Sequence, residues 1–306
     1  MRHVGTTPAG HEIVSCAICD SVDVRELYIK FDVPLVECRR CGLVFVSPRP
    51  PRETVFQRYN PRYFDEEYLP AHGVVNGHVD PAFIDARYSP MLALIERYVP
   101  AKGRLFEVGV GAGLFLGAAA RRGWAVSGID LSPTAAAFAR NRLGLNVTEC
   151  SAETMPRDVE PFDVVVMFDV IEHFFDPIVV LRTIRSILRQ GGILVVATPN
   201  YHALSRLALG QQWAILSPFE HMYYFSEATL RHGLHEAGFT DVQYARRFPG
   251  WSVLETMNAQ HTHAPASLRA ALYRWSTARF GPLLHRTVQS AGKGDVLLAI
   301  SRRGGP

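Results

Sequence analysis

Two short apolar runs, FDVVVMF at residues 162–168 and ILVVAT at residues 193–198, constrain the fold of this 306-residue chain more than any other feature. A strand with one solvated face alternates apolar and polar side chains, whereas these runs are apolar almost throughout. Such strands are buried on both faces, which calls for helices packed above and below a parallel sheet. Between them, residues 178–189 place Val180, Leu181, Ile184 and Leu188 on one helical stripe, opened by Asp176-Pro177 and stopped by Gly191-Gly192. The alternation continues upstream. A helix over 89–99 precedes a strand at 104–108, a glycine loop and a helix over 114–122. A strand at 125–129 then leads to a helix opened by Ser132-Pro133 and closed by Gly144, and a short strand follows at 147–150. With two more strands at 242–247 and 295–301, the pattern predicts an α/β fold. Its sheet is doubly wound, Rossmann-like, mainly parallel and seven-stranded, with ligands at the carboxyl ends of the strands.

Composition sets the remaining bounds. Hydrophobic residues make up 48% of the chain and charged residues 20%, enough apolar surface for a sizeable core and too much for a disordered protein. The net charge of +3 is too mild to announce a nucleic-acid or membrane partner. No uncharged apolar stretch reaches the roughly 18 residues of a membrane helix. The amino terminus lacks the apolar core of a signal peptide, so a cytoplasmic setting is expected.

Four of the five cysteines fall as Cys16-x-x-Cys19 and Cys38-x-x-Cys41, with 18 residues between the pairs, the spacing of a zinc site. Each C-x-x-C turn offers two thiolates from one knuckle of backbone, and two knuckles complete a tetrahedral shell. Residues 24–29, 33–37 and 43–46 read as short strands, so residues 1–50 are expected to form a zinc ribbon. Four thiolates leave no open coordination position, which assigns Zn2+ to structure rather than catalysis. Disulfides are disfavoured in a reducing cytosol, and a redox C-x-x-C lacks its βαβ context here. Cys150 is expected as a small buried hydrophobe at a strand end. A Pro-rich stretch (47–51) and the aromatic, acidic YNPRYFDEEY stretch (59–68) mark residues 51–84 as a connecting segment before an α/β domain over 85–306.

The glycine loop reads Glu107-Val-Gly109-Val-Gly111-Ala-Gly113. A dinucleotide fingerprint would need glycine at 114, where Leu114 stands, and Glu107 would repel a pyrophosphate. A cationic ligand without phosphate fits better. Asp130, 21 residues after Gly109 at the end of the second strand, can accept from both hydroxyls of a ribose, which either class of cofactor carries. Here the chain resembles the class I SAM-dependent methyltransferases, whose first motif has this E-x-G-x-G-x-G form. The resemblance implies S-adenosylmethionine as cofactor, held by Glu107, Gly109, Gly111, Gly113, Asp130 and Leu131. It implies adenine contacts at Ser151-Ala152-Glu153, where Ser151 replaces the family's usual Asp and the Ala152 N–H is the expected contact. The DVIEHF run after Phe168 looks like the family's D-V-I-E-H motif, placing Phe168 and Asp169 along the methionine side. C-G-L-V-F at 41–45 and Y-N-x-x-Y-F at 59–64 resemble a subgroup in which a zinc ribbon precedes the methyltransferase fold. Its members act on small molecules, commonly sugars, cell-surface glycan precursors or secondary metabolites. The likeness spans most of residues 13–248 and the last strand, and it implies that the strands at 242–247 and 295–301 are the antiparallel closing pair of that fold.

An oxygen or nitrogen acceptor must lose a proton as it is methylated, and histidine is the usual side chain for that near neutral pH. His173 and His221, each directly after a Glu at a carboxyl-end loop, are the expected catalytic residues, with His202 as a further candidate. A Mg2+ site from Asp169, Glu172 and His221 would suit a catechol-type acceptor, though nothing in the spacing demands it. The expected function is methyl transfer to oxygen or nitrogen, less readily carbon, of a small molecule. The alternative is an RNA-modifying methyltransferase that uses the ribbon to position RNA. The low charge argues against it, although Arg39, Arg40, Arg49 and Arg52 cluster locally. A third reading is a SAM-binding subunit without turnover. Residues 265–284 interleave Leu268, Leu272, Trp275 and Phe280 with Arg269, Arg274 and Arg279. They belong to an expected helical insertion at about 251–290, read as a lid or packing element in preference to a membrane-surface helix.

Overall fold

The computed structural model describes residues 3–7, 10–75, 78–246 and 287–305, so the expected insertion and its lid lie outside the described residues except for a helical turn at 287–290. A hairpin of His3–Thr6 with Glu12–Val14, not anticipated from the sequence, leads into the ribbon. The ribbon's antiparallel strands are β1 (Val24–Lys30), β2 (Val33–Cys38) and β3 (Val44–Val46). Beyond it come short helical turns at Arg52–Phe56, Pro61–Tyr63 and Leu69–Ala71, with a π-helical turn at Phe64–Tyr68.

Helix α1 (Pro81–Tyr98) then opens the alternating part: β4 (Arg104–Val108), α2 (Leu114–Arg121), β5 (Ala125–Asp130), α3 (Pro133–Leu143) and β6 (Val147–Glu149). It continues with β7 (Phe162–Phe168), α4 (Pro177–Ile187), β8 (Leu188–Pro199), β9 (Tyr223–Tyr224), α5 (Glu227–Glu236), β10 (Phe239–Tyr244) and β11 (Val296–Arg303). The order across the main sheet is β6-β5-β4-β7-β8-β11-β10. The first five strands run parallel, and β11 is antiparallel to both its neighbours. This is the predicted seven-stranded sheet with its antiparallel closing pair.

The apolar runs do what their composition requires. Val165 and Met167 of β7 face one core layer with Val180, Leu181 and Ile184 of α4; Val164 and Val166 face the other with Leu114, Phe115 and Ala118 of α2. At about 1.5–3 kcal/mol per fully buried large aliphatic side chain, the two-sided burial of β7 and β8 fixes the centre of the sheet.

Several boundaries differ from expectation. Helix α1 begins at Pro81, eight residues before the expected start: Asp80 caps it by accepting from the Ala82 N–H, and Pro90 is inside it. Ser89-Pro90 imitates a helix start, but burial of Ile84, Tyr88, Met91 and Leu92 outweighs the roughly 3 kcal/mol that an interior proline costs. Helix α4 ends at Ile187, so β8 starts at Leu188 rather than 193, with Gly191 at φ +72° absorbing an irregular register against β7. Strand β10 begins at Phe239 and ends at Tyr244, shifted upstream of 242–247.

The ribbon is not free-standing. Strand β9, from the α/β part, pairs with β3 (Tyr223 opposite Phe45, Tyr224 opposite Val44) and completes a sheet of order β9-β3-β2-β1. Val36 and Phe45 on one face share the core layer of α4 and α5, while Leu35, Val44 and Val46 on the other pack on Tyr201, Trp213 and Leu216. Among the described residues no helix is long and apolar enough to cross a membrane.

Candidate active site

The carboxyl ends of β4, β5 and β7, with the loop after β6, open onto a cleft of about 360 Å3. Its floor is the glycine loop, where Gly109, Gly111 and Gly113 have φ of +76°, +55° and +77°. Space also demands glycine: a Cβ on Gly109 would lie 2.3 Å from Val170 Cγ1, and one on Gly111 would lie 1.9 Å from Tyr68 Oη. The Gly111 N–H donates to Asp130 Oδ2 at 2.7 Å and the Ser132 N–H donates to Oδ1 at 2.8 Å, fixing the carboxylate between two loops. Burial raises Asp130 above the usual carboxylate range. Glu107, only 4% exposed, is pushed well above its ordinary value by burial and then by the Asp130 charge, and its Oε2 has no hydrogen-bond partner among the described residues. Two buried carboxyls this close disfavour a further anion at the loop and offer acceptors to hydroxyls, and a cationic ligand beside them would favour their ionised form. Leu131 lines the same wall.

After β6, Cys150, Ser151, Ala152 and Glu153 line the next stretch. Cys150 is half-buried: it packs against the core as expected of a small hydrophobe at a strand end, but it also lines the cleft and donates to the Ser151 carbonyl at 3.3 Å. The Glu153 carboxylate is engaged by protein: Oε1 accepts from the Phe175 and Asp176 N–H groups at 3.2 and 3.4 Å, and Oε2 pairs with Arg52.

Phe168 and Asp169 close the far wall. Asp169 takes a left-handed backbone (φ +53°), its N–H donating to the Ala197 carbonyl at 2.9 Å. Burial by surrounding protein pushes its carboxyl up to about 7 against the opposing pull of Arg87. Glu172 is 1% exposed; Oε2 accepts from Thr198 Oγ1 at 2.8 Å, and Oε1 has no partner among the described residues. The two expected histidines meet here, with ring centroids 4.7 Å apart. His173 Nδ1 is 2.8 Å from the Glu220 carbonyl and His221 Nδ1 is 2.8 Å from the Ile215 carbonyl. A carbonyl only accepts, so both Nδ1 atoms carry the hydrogen and the acceptor nitrogen of each neutral ring is Nε2. Burial keeps them neutral, pushing His173 down to about 4 and, together with repulsion from a protonated His173, His221 down to about 3. His202 is outside the cleft lining. The structure does not assemble the Asp169, Glu172 and His221 set; one ligand atom each of Glu172, His173 and His221 lies within 4.8 Å of the others instead.

The four cysteines converge away from the cleft. Cys16 Sγ is 3.4 Å from Cys41 Sγ and Cys19 Sγ 3.5 Å from Cys38 Sγ, with all four within 4.8 Å. Tetrahedral Zn2+ with Zn–S of about 2.3 Å spaces its sulfurs by about 3.8 Å, so the set fits a four-thiolate ion. Hydrogen bonding to Cys41 and burial push the Cys16 thiol up, and burial pushes Cys19 up to about 11; thiols this crowded ionise together only around a cation.

A profile described as "Methyltransferase domain" matches residues 83–244, more than half of the chain. The chain belongs to the methyltransferase domain family. Over 113 residues it is 41% identical to a ubiquinone biosynthesis O-methyltransferase of Caulobacter vibrioides, covering 35% of this chain and 44% of the relative. A protein of the same name from Cereibacter sphaeroides is 30% identical over 125 residues, covering 38% of this chain and 51% of the relative. The chain thus spans about half the length of these curated relatives. Among solved structures, phosphoethanolamine N-methyltransferase 2 of Haemonchus contortus, in complex with S-adenosyl-L-methionine, superposes with a TM-score of 0.54 at 19% identity, over 86% of this chain and 62% of that one. A SAM-dependent methyltransferase of Thermotoga maritima gives 0.50 at 20% identity, over 81% and 98%. At these identities the likeness is one of fold.

The methyltransferase domain as matched begins at residue 83, so the ribbon and the turns at 52–71 are additions to it. Those turns supply the cleft residues that sequence reading missed: Tyr59, Tyr63 and Tyr68 line it, and Tyr59 Oη is 3.1 Å from His173 Nδ1. Their signal was present in the Y-N-x-x-Y-F stretch, which reads as a connector because only tertiary folding lays it over the sheet. Glu220, paired with Arg58, is a second omission.

Proposed function

We propose that this chain transfers a methyl group from S-adenosylmethionine to an oxygen or nitrogen of a small-molecule acceptor, with Zn2+ held structurally by Cys16, Cys19, Cys38 and Cys41. One observation carries the reading: two neutral histidines whose acceptor nitrogen is Nε2 meet in the same cleft as the carboxyls of the glycine loop. S-adenosylmethionine, when bound, supplies an electrophilic methyl group on a sulfonium. The chain's own residues then hold and align. Gly109, Gly111 and Gly113 allow close approach to the backbone, Asp130 accepts from ribose hydroxyls, and the Ala152 N–H faces the adenine. Asp169 holds the ammonium group. Nε2 of His221 or His173 removes the acceptor's proton, and Tyr59 and Tyr63 exclude water. Support for oxygen comes from relatives named O-methyltransferases. The acidic cleft and the net charge of +3 favour a small acceptor over RNA. The setting we infer is the cytoplasm, where thiolates stay reduced.

The test of the reaction is transfer of labelled methyl from S-adenosylmethionine into a deproteinised cell extract, with and without ribonuclease. Label in the low-mass fraction is expected; ribonuclease-sensitive label at high mass would refute the small-molecule reading. For the cofactor, Asp130→Ala is expected to lose measurable binding by calorimetry while circular dichroism stays unchanged, and unaltered affinity would overturn the ribose assignment. Protonation of Asp169 removes the charge that meets the ammonium. Affinity is therefore expected to weaken as pH falls through about 7, by close to tenfold at pH 6 relative to pH 7.5. A flat affinity profile over that range would remove Asp169 from this role.

A second reading has its own observation, the meeting of Glu172, His173 and His221 with one Glu172 oxygen unpartnered. A divalent cation there would polarise the acceptor in place of a histidine base. Turnover abolished by a chelator and restored by Mg2+ alone would favour it.

A further inference from the structure

The segment leaving the ribbon holds two arginines against one phenylalanine. The guanidinium carbons of Arg49 and Arg52 lie 4.4 and 4.6 Å from the centroid of the Phe175 ring, which is 2% exposed. Arg49 Nη1 donates to the Phe175 carbonyl at 2.9 Å, and its guanidinium also meets Glu12 at 3.0 Å. Arg52 pairs with Glu153, whose other oxygen accepts from the Phe175 N–H at 3.2 Å. One closed network thus ties the ribbon's exit to the 151–153 loop and to the loop that carries His173. Neither arginine lines the cleft.

From this juxtaposition we infer that Arg52 is a positioning residue for the cofactor. It holds Glu153, and through it the Ser151–Ala152 backbone, at the height where the adenine is met. The inference rests on the cofactor reading above. A guanidinium is suited to the task because it bonds a carboxylate in its plane while stacking on an aromatic ring, which an ammonium cannot do. Glu153, expected from sequence to touch the cofactor and lining the cleft, is then also the second element of the same device.

The experiment is calorimetric titration of the zinc-loaded 306-residue chain with S-adenosylhomocysteine. Arg52→Met is expected to weaken binding about tenfold with an unchanged thermal midpoint, since Arg52 is partly exposed and its loss leaves the core packed. Glu153→Gln is expected to weaken it to a similar degree. The double variant is expected to be no weaker than either single one, because the two side chains act as a unit. Arg52→Lys, which restores the charge without the planar stack, is expected to recover part of the loss. Wild-type affinity in Arg52→Met, or a double variant weakened by the product of the single effects, would overturn the inference while leaving the cofactor assignment intact. A wild-type chain that fails to bind the probe would overturn both.

Discussion

Stripping the Zn2+ proposed for the four-cysteine cluster is expected to lower the unfolding midpoint of the whole chain by more than about 10 °C, in a single transition. The reason is where the cluster is anchored. Cys16, Ile18, Cys38, Leu43 and Phe45 belong to the same core layer as Ile178, Leu181 and Leu230 of α4 and α5. Structural zinc contributes on the order of 10 kcal/mol or more to small domains that depend on it, and each degree-scale shift here reflects only a fraction of a kcal/mol. Without the ion, four crowded thiols must share a buried volume, the knuckles open, and the layer beneath loses packing that it cannot replace. Cys16→Ser is expected to behave like the stripped protein. Differential scanning calorimetry, with zinc quantified at about one ion per chain, provides the check. A small early transition followed by an unchanged main one would mean that the ribbon folds alone.

His221→Ala and His173→Ala are expected to keep cofactor affinity, and the replacement of whichever ring is the base is expected to lower kcat by about a hundredfold or more. Single-turnover measurement on the acceptor recovered from the labelled fraction would show it, and full activity in both variants would dismiss a histidine base. The pH dependence is distinctive. An exposed imidazole loses its competence as a base below about 6.5, whereas these rings remain neutral down to about 4 and 3. Proton abstraction should therefore show no limb near 6.5. Stability should show one. Both folded values lie below the unfolded value, so the unfolded chain takes up protons first. The contribution to stability is full above about 6.5 and is lost as pH falls through about 4 for His173 and about 3 for His221.

What the sequence makes legible is what local chemistry decides. The two-faced burial of β7 and β8 is written in their composition, the ribbon in the spacing of its cysteines, and the turn after β4 in three glycines whose φ angles no other residue takes as readily. What it hides depends on distant partners. The two-residue strand β9 has no periodicity to detect, and the tautomer of His173 and His221 is set by carbonyls of Glu220 and Ile215. The engagement of Glu153 by Arg52 joins residues 101 positions apart. Ser89-Pro90 shows the reverse error, a persuasive local signal overruled by packing on the far side of the helix.

The pairing of β9 with β3 has a consequence for biogenesis. Translation exposes the ribbon's last strand first and delivers its partner only about 180 residues later, which at about 5–20 residues per second leaves an open edge for some ten to thirty-five seconds. During that interval Val44 and Phe45 offer unpaired backbone and apolar side chains to any passing strand. Low yield of soluble protein on fast overexpression, relieved by slower synthesis at reduced temperature, is the behaviour this connectivity favours, and it would trace to the order in which the chain is made rather than to the stability of the finished fold.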